Sequence, residues 1–262
     1  MMLGKAAVAI WCDVGPEARD EFEDWHTHEH MPERLAIPGF RRGSRWISAD
    51  GRNTYFILYE LEELAILTAG PYLERLNNPT PWSRKMMPQH RNMARSLCRV
   101  QSSFGTGLGK ETLAVRFSPR AGTEEGLGGW LSTDLLPSLP ARKGLVAAHL
   151  LRDAGPAQGA QTVEQKIRGG DNSADWTVLV NGYGTDAVAR LAAQELNDAA
   201  LVAHGAAPGS IARAFSLPDP PEAAYNNPIP RAAIDTNPGS HAHGPCCVGP
   251  DGTEVTPAEA AP

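Results

Sequence analysis

Apolar and polar positions set out an order of strands and helices that occurs twice along the chain. Ala6 to Cys12 carries no charged or strongly polar side chain. This marks a buried strand over 5–13, in a run too short for a signal-peptide core or a membrane span. Pro16 stands at a first-turn position and opens a helix that continues to about residue 35. The segments 40–48 and 54–61 form a strand pair, 64–76 carries helical spacing, and 94–101 closes the set. Thr80-Pro81 has the form of a cap and first turn for a further short helix. The order then recurs, with strands near 112–118, 145–151, 176–183 and 210–215 and helices near 123–139 and 186–196. Each half reads as β-α-β-β-α-β, the split βαβ pattern.

Sliding the sequence against itself exposes the repeat directly. A shift of 105 positions (130 − 25) sets Trp25 on Trp130, Pro32 on Pro137, Gly39 on Gly144 and Ala9 on Ala114, without a gap from about residue 6 to 46. A second block, 53–61, falls on 175–183 at a shift of 122 (175 − 53). The difference of 17 is assigned to the Gly/Gln-rich stretch 155–165, read as a loop insertion. An antiparallel four-stranded sheet with helices on one face leaves its other face bare, and a second copy is the natural cover. The expected fold class is therefore α+β. Two ferredoxin-like halves, 1–108 and 109–217, are expected to pack sheet to sheet as a pseudo-dimeric α+β barrel, a tandem duplication in one chain.

The remainder, 218–262, differs in composition: 10 of the 22 prolines fall in these 45 residues, among many Gly, Ala, Asn and Asp. No hydrophobic period survives, which implies an extended or disordered tail. The chain's 42% hydrophobic and 21% charged content is that of an ordinary globular protein. A net charge of −6 offers no general attraction to phosphate backbones or anionic lipid, so neither nucleic acid nor membrane is an expected partner. Cys12 and Cys98 lie in strand-like segments, and Cys246-Cys247 are adjacent. This is no disulfide framework, and it points to a reducing cytoplasm.

Strand alternation indicates which side chains face the space between the sheets. Leu113, Val115 and Phe117 should lie under helices, which turns Arg116 inward, with Trp11 at the matching position. Thr177, Leu179 and Asn181 share a face, and the shift of 122 carries Tyr55, Ile57 and Tyr59 onto the same interior. Trp11, Tyr55, Tyr59, Arg116 and Asn181 are thus the expected substrate-binding set, suited to a small, partly aromatic, polar or anionic ligand. An Arg116–carboxylate pair or a solvated mouth would account for the same groups. Arg41, Arg42, Arg45, Arg95 and Arg99 could attract a carboxylate, or form a solvated face.

The densest cluster is Trp25-His26-Thr27-His28-Glu29-His30-Met31-Pro32-Glu33-Arg34. On a regular helix His26 and His30 share a face and His28 points elsewhere, so three-histidine metal ligation is awkward and no metal is expected. Imidazole titrates near neutrality and serves as acid or base, making His30, His26 and His28 the candidate catalytic residues. At the 105 shift the second half has Leu131, Thr133 and Leu135 in their places, while Trp25 and Pro32 keep counterparts. The fold therefore does not require the histidines. His241-x-His243-x2-Cys246-Cys247 carries soft-metal ligand types, but its setting is that of a solvated low-complexity tail.

Trp25-x4-His30-Met31-Pro32 followed by Pro38-Gly39-Phe40 resembles the EthD-like proteins of the dimeric α/β-barrel superfamily, and 72–82 resembles an uncharacterised branch of it. The resemblance covers about 5–100 directly, and 111–215 only through the repeat. It implies that His30 is the family histidine. Such relatives include cofactor-free monooxygenases, cyclases, muconolactone-type isomerases and haem enzymes. The resulting expectation is a lyase, isomerase or cyclase acting without cofactor on a small aromatic or keto/enol acid. A haem- or oxygen-using oxidoreductase and a non-enzymatic binding protein are the alternatives. Homo-oligomers are compatible with each.

Overall fold

The structure, a computed structural model, describes residues 1–48, 54–155, 162–168, 175–218 and 224–226. Residues 1–227 form one compact unit. The tail beyond it, with His241, His243, Cys246 and Cys247, lies outside the described residues.

The strands are β1 (Ala6–Val14), β2 (Phe40–Ser48), β3 (Thr54–Leu61), β4 (His90–Gly105), β5 (Glu111–Phe117), β6 (Leu145–Asp153), β7 (Trp176–Gly182), β8 (Ala212–Pro218) and β9 (Ala224–Asn226). The helical runs are α1 (16–35), α2 (Gly70–Asn77), α3 (Pro81–Met86), α4 (124–141), α5 (Val163–Arg168), α6 (Thr185–Ala193) and α7 (Asp198–Ala203). The fold is α+β, with helices packed on an antiparallel sheet. In the first half the strands lie in the order β2-β3-β1-β4, and in the second β6-β7-β5-β8 is the same permutation. β4 pairs with β6 and β8 with β2, so the eight strands hydrogen-bond in a closed cycle rather than as two separate stacked sheets. β9, from the segment expected to be featureless, adds to β2 opposite Arg42–Ser44.

Both halves carry the same irregularity in their first helix. Pro32 lacks an N–H and its ring crowds the carbonyl four residues back. The helix widens there, and the Met31 N–H donates to the His26 carbonyl five residues back, through the π-helical segment His26–His30. Pro137 has the same effect in α4, where the Leu136 N–H donates to the Leu131 carbonyl. Such turns often mark functional sites, but here proline explains both. Gly39 and Gly144 are likewise alike. Each opens its strand at positive φ, +93° and +92°, and a Cβ on either would strike the helix side, at Ile66 or Ala187. Trp25 and Trp130 differ: Trp25 is buried, whereas Trp130 is half-buried and stacks on His204.

Three apolar clusters hold the unit together. One lies between the first-half helices and the sheet, around Phe22, Trp25, Met31, Phe40, Tyr55, Ile57 and Tyr59. Another is its second-half counterpart, around Leu113, Leu131, Leu135, Val178 and Val180. The third fills the inside of the closed sheet, with Trp11, Trp46, Phe56, Leu58, Ala114, Leu151 and Leu179. Opposite neighbours share a face, and their register corrects the repeat. Val8 faces Tyr59 and Leu113 faces Val180, so the second block is offset by 121 (180 − 59), not 122. A one-residue slip exchanges the faces of a strand. Phe56 and Leu58 therefore point inward, while Tyr55, Ile57 and Tyr59 lie under the helices, contrary to the sequence expectation.

Two helices also fall where no regular structure was expected. α5 sits in the segment read as a loop insertion, and α7 is capped by Asn197, whose side chain accepts from the Ala200 N–H. The expected helix over 64–76 is broken at Ala69 into a 3-10 turn, Leu64–Thr68, and α2. Pro71 has no N–H to give to the preceding turn and is accommodated in the first turn of α2, with Ala69 extended before it, which accounts for the break.

Candidate functional site

The stripe His26, His30, Arg34 runs down the face of α1 that lies on the sheet. His30 and Arg34 line a cavity of about 30 Å³ together with Val8, Ile10, Phe40, Tyr59, Tyr72, Leu76, Arg95 and Glu164. β3 supplies Tyr59, α2 supplies Tyr72 and Leu76, β4 supplies Arg95, and α5 brings Glu164 from the second half.

His26 is fully enclosed, and its Nε2 lies 3.3 Å from the Tyr59 hydroxyl. Burial, then the charges of Arg45, His90 and Arg34, hold its pKa well below the usual imidazole value, so it is neutral at pH 7. The Tyr59 phenol is pushed up by burial and stays protonated. The His30 ring lies 4.5 Å from Trp25 and 5.6 Å from His26, centroid to centroid. Arg34 pairs with Glu164 at 2.5 Å, the two side chains only 5% and 3% exposed. Burial works against the arginine's charge, but Glu164 and the Tyr72 and Tyr59 oxygens outweigh it and raise the Arg34 pKa. Arg95 Nη2 donates to the Tyr72 hydroxyl at 2.6 Å. The cavity thus combines imidazole, two guanidinium groups and two phenols in a setting where each polar contact counts for more than in water.

The structure separates residues that the sequence reading placed in one site. His28 is exposed on the far side of α1, where its Nδ1 meets the Asp24 carboxylate at 2.8 Å. Tyr55 points under the helices but away from the cavity, donating to Glu23 Oε1 at 2.5 Å. Trp11, Arg116 and Asn181 face the inside of the closed sheet, so the sheet itself stands between them and His30. Trp11 and Arg116 border a second cavity of about 120 Å³ at one end of that interior. The Arg116 guanidinium lies over the Trp11 ring, 5.4 Å from its centroid. Asn181 is at the opposite end of its strand, donating to Thr112 Oγ1 at 2.9 Å. Glu29, inside the histidine cluster, is a bracket. One of its oxygens accepts from Trp25 Nε1, Thr80 Oγ1 and Ser83 Oγ and so ties α1 to α3. Arg41 and Arg42 are taken up by Glu62 and Glu60, and Arg99 is exposed.

Arg34, Tyr72 and Glu164 were not singled out as site residues from the sequence, and Arg95 was named only as one of five arginines that could attract a carboxylate or form a solvated face. Arg34 had a visible signal, since it continues the i, i+4 row from His26 through His30. Glu164 had none, because nothing local indicates that α5 reaches the other half. Among the described residues no three His, Cys, Asp or Glu side chains converge as a metal-binding group.

The second half lacks this chemistry. By strand register and helix position, His26, His30, Arg34 and Tyr59 correspond to Leu131, Leu135, Leu139 and Val180. All four are buried in the apolar cluster under α4.

No protein-family model and no curated protein matches this sequence. Solved structures match its fold. An anthrone oxidase-like protein superposes with a TM-score of 0.58 at 12% identity, over 86% of this chain and 94% of that one. A proposed monooxygenase of Fusobacterium nucleatum gives 0.52 at 9% identity, over 83% and 94%. A mutant chlorite dismutase of Candidatus Nitrospira defluvii, in complex with cyanide, gives 0.50 at 10% identity, over 83% and 92%. At these identities the likeness is one of fold. Among the described residues no helix is long and apolar enough to cross a membrane.

Proposed function

We propose that this chain is an enzyme that moves a proton at a carbon next to the carbonyl of a small aromatic or keto/enol acid, in the cavity beneath α1. The observation that carries this reading is the exchange of four buried groups between the halves: His26, His30, Arg34 and Tyr59 against Leu131, Leu135, Leu139 and Val180. Aliphatic side chains satisfy the fold at these positions. Burying polar groups costs free energy unless each is bonded, so their retention in one half speaks for chemistry. We take the two halves to be copies of one ferredoxin-like unit, joined as a pseudo-dimeric barrel of which only the first half is active.

His30 takes the proton from the substrate carbon, and the electron pair left behind moves onto the carbonyl oxygen. Tyr59, held protonated by burial, is a donor close to His26 and within the same lining. His26, neutral and low in basicity, orients Tyr59 rather than acting as the base. Returning the proton to another carbon makes an isomerase, and expelling a group makes a lyase. The test is deuterium exchange into a panel of enolisable acids, followed by NMR, for the wild type and His30→Ala. Absence of exchange across the panel with wild-type protein would refute the reading.

A second reading, an oxygen-using oxidoreductase, is favoured by the anthrone oxidase-like and proposed monooxygenase names of fold neighbours. The same deprotonation yields an electron-rich enolate that dioxygen can oxidise, so oxygen uptake with a phenolic acid would identify it. Haem fits poorly. The void of about 30 Å³ is walled by the packed side chains of Val8, Phe40, Tyr72 and Leu76. Pockets that enclose large ligands run to roughly 300–1,000 Å³. No step is assigned to haem here.

A further inference from the structure

We propose that the Glu164 carboxylate occupies the place of the carboxylate of this cavity's ligand, and that the ligand is a small monocarboxylic acid that displaces Glu164 from Arg34. The inference rests on the proposed site, and it names the group by which the substrate is held.

The ion pair joins the two halves, its partners 130 positions apart in the sequence. Glu164 lies on α5, within the connection 154–175 between β6 and β7, whereas the matching connection between β2 and β3 is only 49–53. The second half thus has an inserted segment, and its helix covers the first half's cavity. Val163 N–H donates to Asn77 Oδ1 on α2, and Ile167 packs against the first-half core. A stabilising role alone is a poor explanation for the pair, because buried ion pairs seldom improve on apolar packing of similar volume. The counterpart of Arg34 is Leu139, fully buried and unproblematic.

The geometry of Arg34 points the same way. Glu164 engages Nη2, while Nη1 is buried without a hydrogen-bond partner among the described residues. A guanidinium offers two parallel N–H groups to a carboxylate, and a mobile ligand can align with both where the tethered Glu164 meets one. Arg95 lines the same void, so removal of the Glu164 charge leaves two guanidinium groups facing it. With Glu164 in place, about 30 Å³ is left, room for about one water. A carboxylic acid enters only by taking over the volume and charge of the Glu164 head group.

The test uses the full-length protein with acetate and propionate as probes and chloride as control, read by thermal melting and by calorimetric titration. Glu164→Ala should melt below the wild type and be restored saturably by either carboxylate. Its acetate dissociation constant should fall at least about tenfold relative to wild type, since the internal competitor no longer reduces the binding-competent fraction. Adding Arg34→Leu should abolish both effects. If Glu164→Ala does not fold, Glu164→Gln, which keeps the shape and loses the charge, serves for the same titration. Restoration by chloride to the same degree, or no saturable carboxylate effect in either variant, overturns the proposal. His30→Ala in the Glu164→Ala background separates the two readings. Carboxylate binding should survive there although proton exchange is lost, and its absence from Glu164→Ala while the wild type still exchanges protons would sink this inference alone.

Discussion

His149 provides a quantitative test of how the interior of the closed sheet responds to acid. The ring is buried on β6, with Nδ1 2.9 Å from Ser103 Oγ. Burial, then the charges of the amino terminus and Arg42, lower its pKa from 6.5 to about 3. The sign follows directly. Below 6.5 the unfolded chain binds a proton that the folded chain refuses, so stability falls as pH drops from 6.5 toward about 3. Between about pH 7.5 and about pH 5.5 the loss from this one residue is about 1.4 kcal/mol, the value of one pKa unit. His26, lowered by burial, adds in the same direction. Glu33 and Asp153, raised by burial, act oppositely at lower pH, so the readout is a difference between proteins. Urea unfolding followed by tryptophan fluorescence at both pH values should show His149→Gln losing about 1.4 kcal/mol less than the wild type, at equal m-values. Curves that fall in parallel would mean that His149 is protonated in the fold, and the account of a dry interior would be wrong.

Other outcomes follow from the same structure. His30→Ala should lower turnover about 10²–10⁴-fold, the usual worth of a general base, with the cooperative melt retained, while His28→Ala should leave turnover unchanged in a side-by-side assay. Glu29→Ala removes an acceptor shared by three donors and should cost about 2–4 kcal/mol in urea melts, because bonds to a charged group are worth about 1.5–3 kcal/mol each and Ser83 Oγ, 3.2 Å from Trp25 Nε1, replaces only part of the loss. Ending the chain after Asn227 should preserve a single melting transition at an unchanged midpoint, whereas ending it after Asp219 also removes β9 from its pairing with β2 and should lower the midpoint. Gly144→Ala places a Cβ 2.5 Å from Ala187 at a φ of +92°, and circular dichroism melts should show a loss of more than about 1 kcal/mol.

The element order was legible because it rests on local signals. Apolar runs gave the strands, Pro16 opened α1, and the Thr80 side chain caps α3 by accepting from the Ser83 N–H at 2.9 Å. The two halves were legible because Gly39 and Gly144 both need positive φ and Pro32 and Pro137 both widen a helix. The facing of β3 was not. Its repeat block was set at a shift of 122 from hydrophobic character, and the pairings Val8 to Tyr59 and Leu113 to Val180 place it at 121. That single residue moved Tyr59 from the inside of the sheet to the side of His26, and with it the boundary of the candidate site. The contribution of α5 was illegible for another reason: a contact across 130 residues leaves no trace in local periodicity.

The two halves share one strand permutation, so their buried positions can be compared one by one. Under α4 the same backbone encloses Leu131, Leu135, Leu139 and Val180 with no polar group among them. Under α1 it encloses an imidazole held neutral, a phenol held protonated and an arginine whose charge needs a partner from the other half. Packing alone would favour the aliphatic solution, since an unpaired buried polar atom such as His26 Nδ1 or Arg34 Nη1 loses its hydration without return. The polar half is also the one covered by α5, so the difference at the cavity floor and the difference at its roof occur at the same place. Two independent losses of packing economy would have no reason to coincide unless the space between them has a use, and the ligand that satisfies both is one that brings its own carboxylate to Arg34.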